Sequence, residues 1–440
     1  MGLIKKIKSI FNYKNSYTKS TINQILLAGG WGYGNTGDEA QCNALYLLLN
    51  KRYPEYQVKI LTPDPNYTYC LHHADSDFAS RVAIFNEGLR GDCFRFENNK
   101  KRKKRFKLRC YLMLLNAYLM RANLPTIFIT SAQAKFLQQL KESSLFVFGG
   151  GGYLTGSTVS RLWDGMLICR LCEILKTPVV MSGQTIGVWG NEENKRISKI
   201  GFRNVKAISL RDKNASKKDL NEIGIKDNIY ICPDDALFCE KSTEQLINEK
   251  YIALNFHYWG MKEDEKNLYI KKLHNIITYL YEYINLNIIF IPMHCSDVES
   301  YNDYIKIYPE EKTRFKLYEY DYDFRKIRRV IADSEICVTM KHHPIIFAMG
   351  ECVPCISLAF SSYYEHKNKG ALEEYGQEKY LVTLNNDDYL DKFMELIKDV
   401  FQNKERIKSE IKENLLILAD KKECFMKKVD EVLANKSEIL

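Results

Sequence analysis

Residues 338–354 read VTMKHHPIIFAMGECVP and set Lys341, His342 and His343 between a β-branched run and an apolar helical pattern, in a chain with eight histidines altogether. Histidine is the side chain whose ordinary pKa lies closest to neutrality, which makes a histidine at a strand end a candidate for moving protons. The lysine beside it adds a cation for an anionic substrate. Pro344 suits the first position of a helix and Gly350 its stop, and the residue before a proline favours extended backbone. These preferences predict that His343 finishes the strand. Strand alternation then sends Lys341 and His343 to one side as the working pair, with His342 on the other as buried support.

The segment GGWGYGNTGDE (29–39) also follows a β-rich run. Gly32, Gly34 and Gly37 satisfy G-x-G-x-x-G, but Asp38 and Glu39 put two carboxylates where a pyrophosphate needs a helix N-terminus, and no Gly-Lys-Ser/Thr closes a P-loop. Two readings stay open. Either backbone at Gly34 approaches a sugar or small anion, with Asn35 and Asp38 offering hydrogen bonds, or the glycines serve a tight turn and Asp38 caps the helix.

Glycines recur in FGGGGYLTGS (148–157) and MSGQTIGVWG (181–190). Four in a row carry a large conformational-entropy cost that packing does not explain, so amides around Gly150 and Gly151 are expected to face a phosphate or carboxylate. Gln184 brings both a donor and an acceptor. In SLRDKNAS, Arg211 fits an anion bidentately; an internal pair with Asp212 is the equal alternative. Asp234 and Asp235 in CPDDALF read as turn caps. His257, His294 and Asp297 stand at strand ends and read as structural groups, so no metal is expected.

Around these groups the sequence alternates short β-rich runs with helical patterns. QILLAGG, YQVKILTPD, LFVFGGGG, TPVVMSGQ, AISLRD and IYICPDD read as strands, several of them continuously apolar as in a parallel sheet covered on both faces. After the polar EKSTEQLINEK the alternation restarts with YIALNFHYW, NLNIIFIPMHC, EICVTMKHH, PCISLAF and KYLVTL. The expected fold is α/β, two Rossmann-like domains in a glycosyltransferase-B-like arrangement with a C-terminal helical segment and the ligand in the cleft between domains. The expected boundaries are an amphipathic segment over 1–20, an N-terminal domain over 21–243 with a basic/apolar insertion near 94–120, a second domain over 250–390 and helices over 391–440.

Composition fits a folded protein of two domains, with 45% apolar and 27% charged residues in 440. No apolar run is long enough to span a bilayer, and the start of the chain does not read as a secretory signal or a myristoylation site. The 13 cysteines are scattered, which predicts reduced thiols; the pairs Cys169/Cys172 and Cys352/Cys355 read as buried small hydrophobes. The net charge of +9 is uneven: KKRKKRFKLR (100–109) holds eight basic residues in ten and runs into CYLMLLNAYLM. Together with MGLIKKIKSIF at the start, it suits docking on an anionic membrane surface, and a solvated charged face is the alternative. No nucleic-acid motif accompanies the charge, so nucleic acid is not an expected partner.

In order along the chain, GYGNTGDEA, VFGGGGYL, SGQTIG, RDKNAS running into PDDALF, and MKHHPIIFAMGECVP resemble the polysaccharide pyruvyl transferase family over residues 25 to about 385. The resemblance implies a two-domain enzyme that moves a carboxyvinyl-derived group from phosphoenolpyruvate onto two sugar hydroxyls as a cyclic ketal. No cofactor is implied; phosphoenolpyruvate is a co-substrate. The family's R-x-H motif falls on Lys341 and His343, with lysine keeping the charge of the arginine but losing its bidentate fork. Its RD arginine falls on Arg211, and its Y-x-x-K pattern, spread out here in FSSYYEHKNK, points to Lys367.

On that resemblance His343 supplies acid/base chemistry and Arg211 is its catalytic companion. Lys341, Gly34, Asn35, Asp38, Gly150, Gly151, Gln184 and Lys367 are expected to bind substrate. The acceptor is expected to be a glycan on a lipid diphosphate, and the protein to be cytoplasmic and peripheral on the inner face of the cell membrane. A glycosyltransferase using a nucleotide sugar, and a non-catalytic glycan-binding or scaffold protein of capsule assembly, are the competing readings.

Overall fold

A computed structural model describes residues 23–86, 96, 99–258 and 261–437. The expected N-terminal amphipathic segment over 1–20 lies outside the described residues, as does Trp259. The chain divides into two compact units. The first draws on Met1–Tyr33, Leu45–Cys232 and Cys424–Leu440, the second on Gly34–Ala44 and Pro233–Glu423.

In the first unit the described residues form eight strands: β1 (Gln24–Ala28), β2 (Gln57–Thr62), β3 (Ser76–Phe78), β4 (Leu145–Phe148), β5 (Gly151–Thr155), β6 (Val179–Gly187), β7 (Val205–Leu210) and β8 (Ile229–Ile231). They pair in parallel in the order β3-β2-β1-β4-β6-β7-β8, with β5 added beside the far end of β6. Leu145–Phe148 is buried at every position and β1 at all but its first, which is why these segments read as unbroken apolar runs. Trp163, Phe106, Met113, Phe136 and Phe202 fill the core on the helical side.

The second unit repeats the plan with β9 (Tyr251–Asn255), β10 (Asn287–Phe290), β11 (Phe315–Leu317), β12 (Ile336–Thr339), β13 (Cys355–Ala359) and β14 (Leu381–Thr383), all parallel in the order β11-β10-β9-β12-β13-β14. That is the Rossmann order, whose crossover reverses at the β9/β12 pair; in the first unit the reversal falls at β1/β4. Chain segments leaving the C-terminal ends of a reversing pair diverge to opposite faces and leave a crevice for ligands. The motif loops emerge there in both units.

Helices Tyr389–Gln402 and Lys404–Ser437 close the chain. Lys422 of the second is buried and paired with the equally buried Asp235, so the terminal helix is tied to the turn after β8. Cys169, Cys172 and Cys355 are buried and Cys352 is half-buried.

Candidate active site

The sequence-derived residues fall into one set per unit. In the first, Gly150, Gly151, Gln184 and Arg211 gather at the C-terminal ends of β4 to β7. Gly151 has φ +140, a backbone conformation that a side chain disfavours. Gly149 has another cause: the Trp31 ring occupies the place where its Cβ would stand. Packing therefore explains one of the four consecutive glycines, a correction to the view that only ligand contact accounts for the run.

Gln184 is fully buried and spends its amide N–H groups inside the fold, donating to the Gly149 carbonyl and, at 3.3 Å, to the Ser182 carbonyl. It fixes the glycine loop from below. Arg211 follows β7 directly; its Nε donates to Thr185 Oγ1 at 2.8 Å, and its guanidinium lies over Gly152. Asp212 accepts from the Ser216 backbone N–H at 2.8 Å and from the Ser216 hydroxyl, so its carboxylate caps the helix Ala215–Glu222.

Two further cations of this unit were not singled out by sequence. Arg81 and Arg161 lie 4.9 and 5.3 Å from the ring of Tyr33 and line a cavity of about 30 Å3 beside Gly29 and Tyr153. Neither sits in a motif, and only the fold brings them to the β1/β4 crevice.

In the second unit the KHH segment departs from expectation in one respect. The strand ends at Thr339, and the helix begins at His342 and runs to Gly350, so His343 lies in the helix and not at the strand end. Lys341 is the N-cap, its N–H donating to Thr339 Oγ1 at 3.0 Å. Pro344 then sits at the third helical position, where its missing N–H costs nothing because the first helical N–H groups have no intrahelical acceptor. Strand alternation is thus not what separates the histidines; the 100° step of a helix separates them. Their rings stand nearly perpendicular, with centroids 5.3 Å apart.

His342 is buried, and its Nε2 lies 3.1 Å from Asp234 Oδ2. Asp234 is itself held by the Gln41 amide at 2.8 and 3.0 Å and by the Ala236 N–H at 2.9 Å. His343 is half-buried and rests against Gly37, whose hydrogen points into the imidazole ring; a Cβ there would overlap ring atoms. Around it the Thr36 N–H donates to the Met293 carbonyl at 3.1 Å, the Tyr320 hydroxyl donates to the Gly34 carbonyl, and Asn35 Oδ1 accepts from the Gly37 N–H at 3.1 Å as the helix cap. Asp38 occupies the first turn of that helix. The GNTGDEA and KHH motifs, about three hundred residues apart, are thus two halves of one constellation.

Lys341 Nζ lies 2.6 and 2.7 Å from the carboxylate of Asp297, which is fully buried and also accepts the Met293 N–H at 2.8 Å. Both charges of this pair act on His257 and His294. Burial, reinforced by the Lys341 charge, lowers the His257 pKa to about 4 and also lowers that of His294. Both imidazoles are therefore neutral at physiological pH, and His294 Nδ1 accepts the Ser296 N–H at the start of the helix Cys295–Ile307. Lys367 Nζ stands 5.8 Å from the Tyr363 ring and contributes to the positive field at His257. Among the described residues, ligating atoms of Asp234, His342 and His343 lie within 4.8 Å of one another, close enough to share a cation. Asp234 already serves the Gln41 amide and a backbone N–H, which a divalent ion would have to displace, and we assign the cluster to hydrogen bonding.

Residues 35–362 match the family described as Polysaccharide pyruvyl transferase. The chain belongs to that family. The match runs from Asn35, which accepts from the Gly37 N–H, to the start of the helix bearing Lys367, so it contains the second-unit constellation and the first-unit glycine loops together. A family member of this kind is a transferase of polysaccharide biosynthesis. No curated protein matches the chain.

Solved structures share its fold at low identity. A putative UDP-N-acetylglucosamine 2-epimerase from Listeria monocytogenes is 10% identical with a TM-score of 0.57, over 89% of this chain and 91% of that one. The UDP-GlcNAc 2-epimerase of Neisseria meningitidis is 11% identical with a TM-score of 0.55, over 93% and 100%. A glycosyltransferase from Rickettsia africae gives 11% and 0.53, over 93% and 99%. The fold is therefore α/β with two Rossmann-like domains of the glycosyltransferase-B kind and a C-terminal helical segment.

Proposed function

We propose that this family member transfers the enolpyruvyl-derived group of phosphoenolpyruvate to two hydroxyls of a sugar, in a polysaccharide or its lipid-linked precursor, with His343 as the acid/base group. The observation that carries this reading is the enclosure of His343: Gly37 closes on one side, and Asp234 with His342 holds the other.

The reaction needs a proton delivered to C3 of the enol while a sugar oxygen bonds to C2 and loses its own proton. The second hydroxyl then adds to C2 as the C2–O bond to phosphate breaks, and its proton leaves with phosphate. One group alternating between acid and base serves both hydroxyl deprotonation and C3 protonation. His343 takes that role because a histidine titrates near neutrality and because its neighbour His342 is committed to Asp234. The donor carries a carboxylate and a phosphate. Lys341 binds one of them while Asp297 holds the ammonium in place, and Lys367 adds a second cation. In the first unit Arg211, over the glycine loop at Gly152, offers an anion the bidentate contact that a lysine cannot make, with the amides near Gly150 and Gly151 assisting.

The test is incubation with phosphoenolpyruvate and a panel of sugar acceptors. Phosphate release together with an acceptor mass gain from a pyruvate ketal is the expected result. Nucleotide release from a sugar nucleotide would replace this reading with glycosyl transfer, and absence of any turnover with a glycan-binding role.

A further inference from the structure

The helix Lys100–Arg121 has two apolar faces, and the fold covers one of them; on the other, the Tyr118 hydroxyl accepts from Arg170 at 3.1 Å. Phe106, Met113, Ala117 and Met120 point inward and are buried. On the opposite side Leu108, Tyr111, Leu115 and Tyr118 follow one another at helical spacing and are 60%, 69%, 45% and 48% exposed. The next segment extends the patch with Leu124 and with Phe128, which is 78% exposed. A continuous stripe of large apolar side chains on a well-packed helix is not accounted for by folding, and it implies a partner.

The same face of this helix is cationic at its N-terminal end. Lys101, Lys104 and Arg105 lie in line with Leu108, and Lys100 stands beside them. Among the described residues Lys100, Lys101, Lys104 and Arg105 form no ion pair. Lys103 and Lys107, by contrast, turn inward to Glu193 at 2.6 and 2.7 Å. Four cations at a helix N-terminus are unfavourable against the helix dipole, so fold stability does not explain them either.

We propose that this face docks on an anionic lipid bilayer, with the helix lying in the interface, the stripe in the headgroup–acyl boundary and the basic turns on lipid phosphates. The combination of aromatic and aliphatic side chains with adjacent lysine and arginine is the composition of an in-plane membrane helix. Charge selects this occupant over two others. Residues 1–20 are basic, with Lys5, Lys6, Lys8, Lys14 and Lys19 and no acidic residue, and do not complement a basic face. A second copy of the stripe would bring two sets of like charges together. The site is independent of the transfer reaction, since none of its residues takes part in it.

The experiment is co-sedimentation of the full chain with vesicles of phosphatidylglycerol and phosphatidylcholine, against phosphatidylcholine alone. The expected result is binding to the anionic vesicles only, weakening steeply between about 0.1 and 0.5 M salt. The triple variant Leu108→Asp, Tyr111→Asp, Leu115→Asp should lose at least about tenfold in vesicle affinity. Each of Lys101→Gln, Lys104→Gln and Arg105→Gln should lose up to about fivefold. All of these positions are exposed, so thermal unfolding should stay at the wild-type temperature. Unchanged vesicle binding by the triple variant overturns the proposal, whatever other part of the chain then holds the lipid. Absence of wild-type binding to anionic vesicles overturns it as well, whether the chain instead shifts a nucleic-acid duplex or forms a dimer that the triple variant disrupts.

Discussion

The two crevices arise from the same strand order, yet they offer ligands different things. At the β1/β4 crossover the first unit presents mainly backbone, a glycine loop braced by Gln184, with Arg211 arching over it. At the β9/β12 crossover the second unit presents titratable side chains: His257, His294, Asp297, Lys341 and the Asp234–His342–His343 group. Backbone amides and a permanently charged guanidinium bind anions without exchanging protons, whereas imidazoles and carboxylates exchange them. On the proposed reading, the scaffold used twice keeps the proton-exchanging groups in the second unit, beside the cations Lys341 and Lys367, while the first offers anion-binding groups alone.

If that division holds, variants in the two units should fail in different ways. His343→Ala should reduce kcat by about a thousandfold with little change in the KM for phosphoenolpyruvate, the scale expected when a positioned acid/base is lost. Gly37→Ala comes next. Its methyl overlaps the His343 ring and must displace it, so kcat should drop by about a hundredfold while the protein remains folded. Arg211→Ala should act mainly on KM, raising it by about 10- to 30-fold, with Arg211→Lys recovering part of the loss. A collapse of kcat at unchanged KM in Arg211→Ala would erase the distinction between the units.

The smallest effect concerns pH. His257 has a folded pKa of about 4 against an ordinary value near 6.5, because burial and Lys341 disfavour its charged form. The unfolded chain therefore binds more protons between those values. The contribution of His257 to stability is present in full above pH 6.5 and is lost as pH falls from 6.5 towards 4. Thermal unfolding measured across that window should show a fall that His257→Phe makes shallower; parallel curves would remove His257 from the account.

Legibility in the sequence followed burial. The largely apolar strands β1, β4 and β9 stand out because two covered faces demand it. The strands that escaped notice were β3, with sequence SDF, β11, with FKL, and β5 within the glycine run. β3 and β11 are sheet edges three residues long, with little apolar content to give a period, and β5 carries glycines that read as loop. The strand ending of the KHH segment was misplaced because the residue before a proline prefers extended backbone, and the preference yielded to a helix start capped through Thr339 and Lys341. Motif residues were visible as motifs, but their partners were not. Gln41 and Asp234 meet across 193 residues of chain, and Asp297 meets Lys341 only because β10 and β12 flank β9. Arg81 and Arg161 had no local pattern to betray them.

The central claim is that adjacent histidines have unlike roles, His343 chemical and His342 structural. Single-turnover phosphate release from phosphoenolpyruvate, measured side by side for His343→Ala and His342→Phe in the presence of an accepted sugar, addresses it directly. The account predicts a loss of about a thousandfold for His343→Ala with normal unfolding, and for His342→Phe a rate within about tenfold of wild type with a lowered unfolding temperature, because Asp234 loses a buried partner. Wild-type release by His343→Ala, or the two variants exchanging these outcomes, would contradict it.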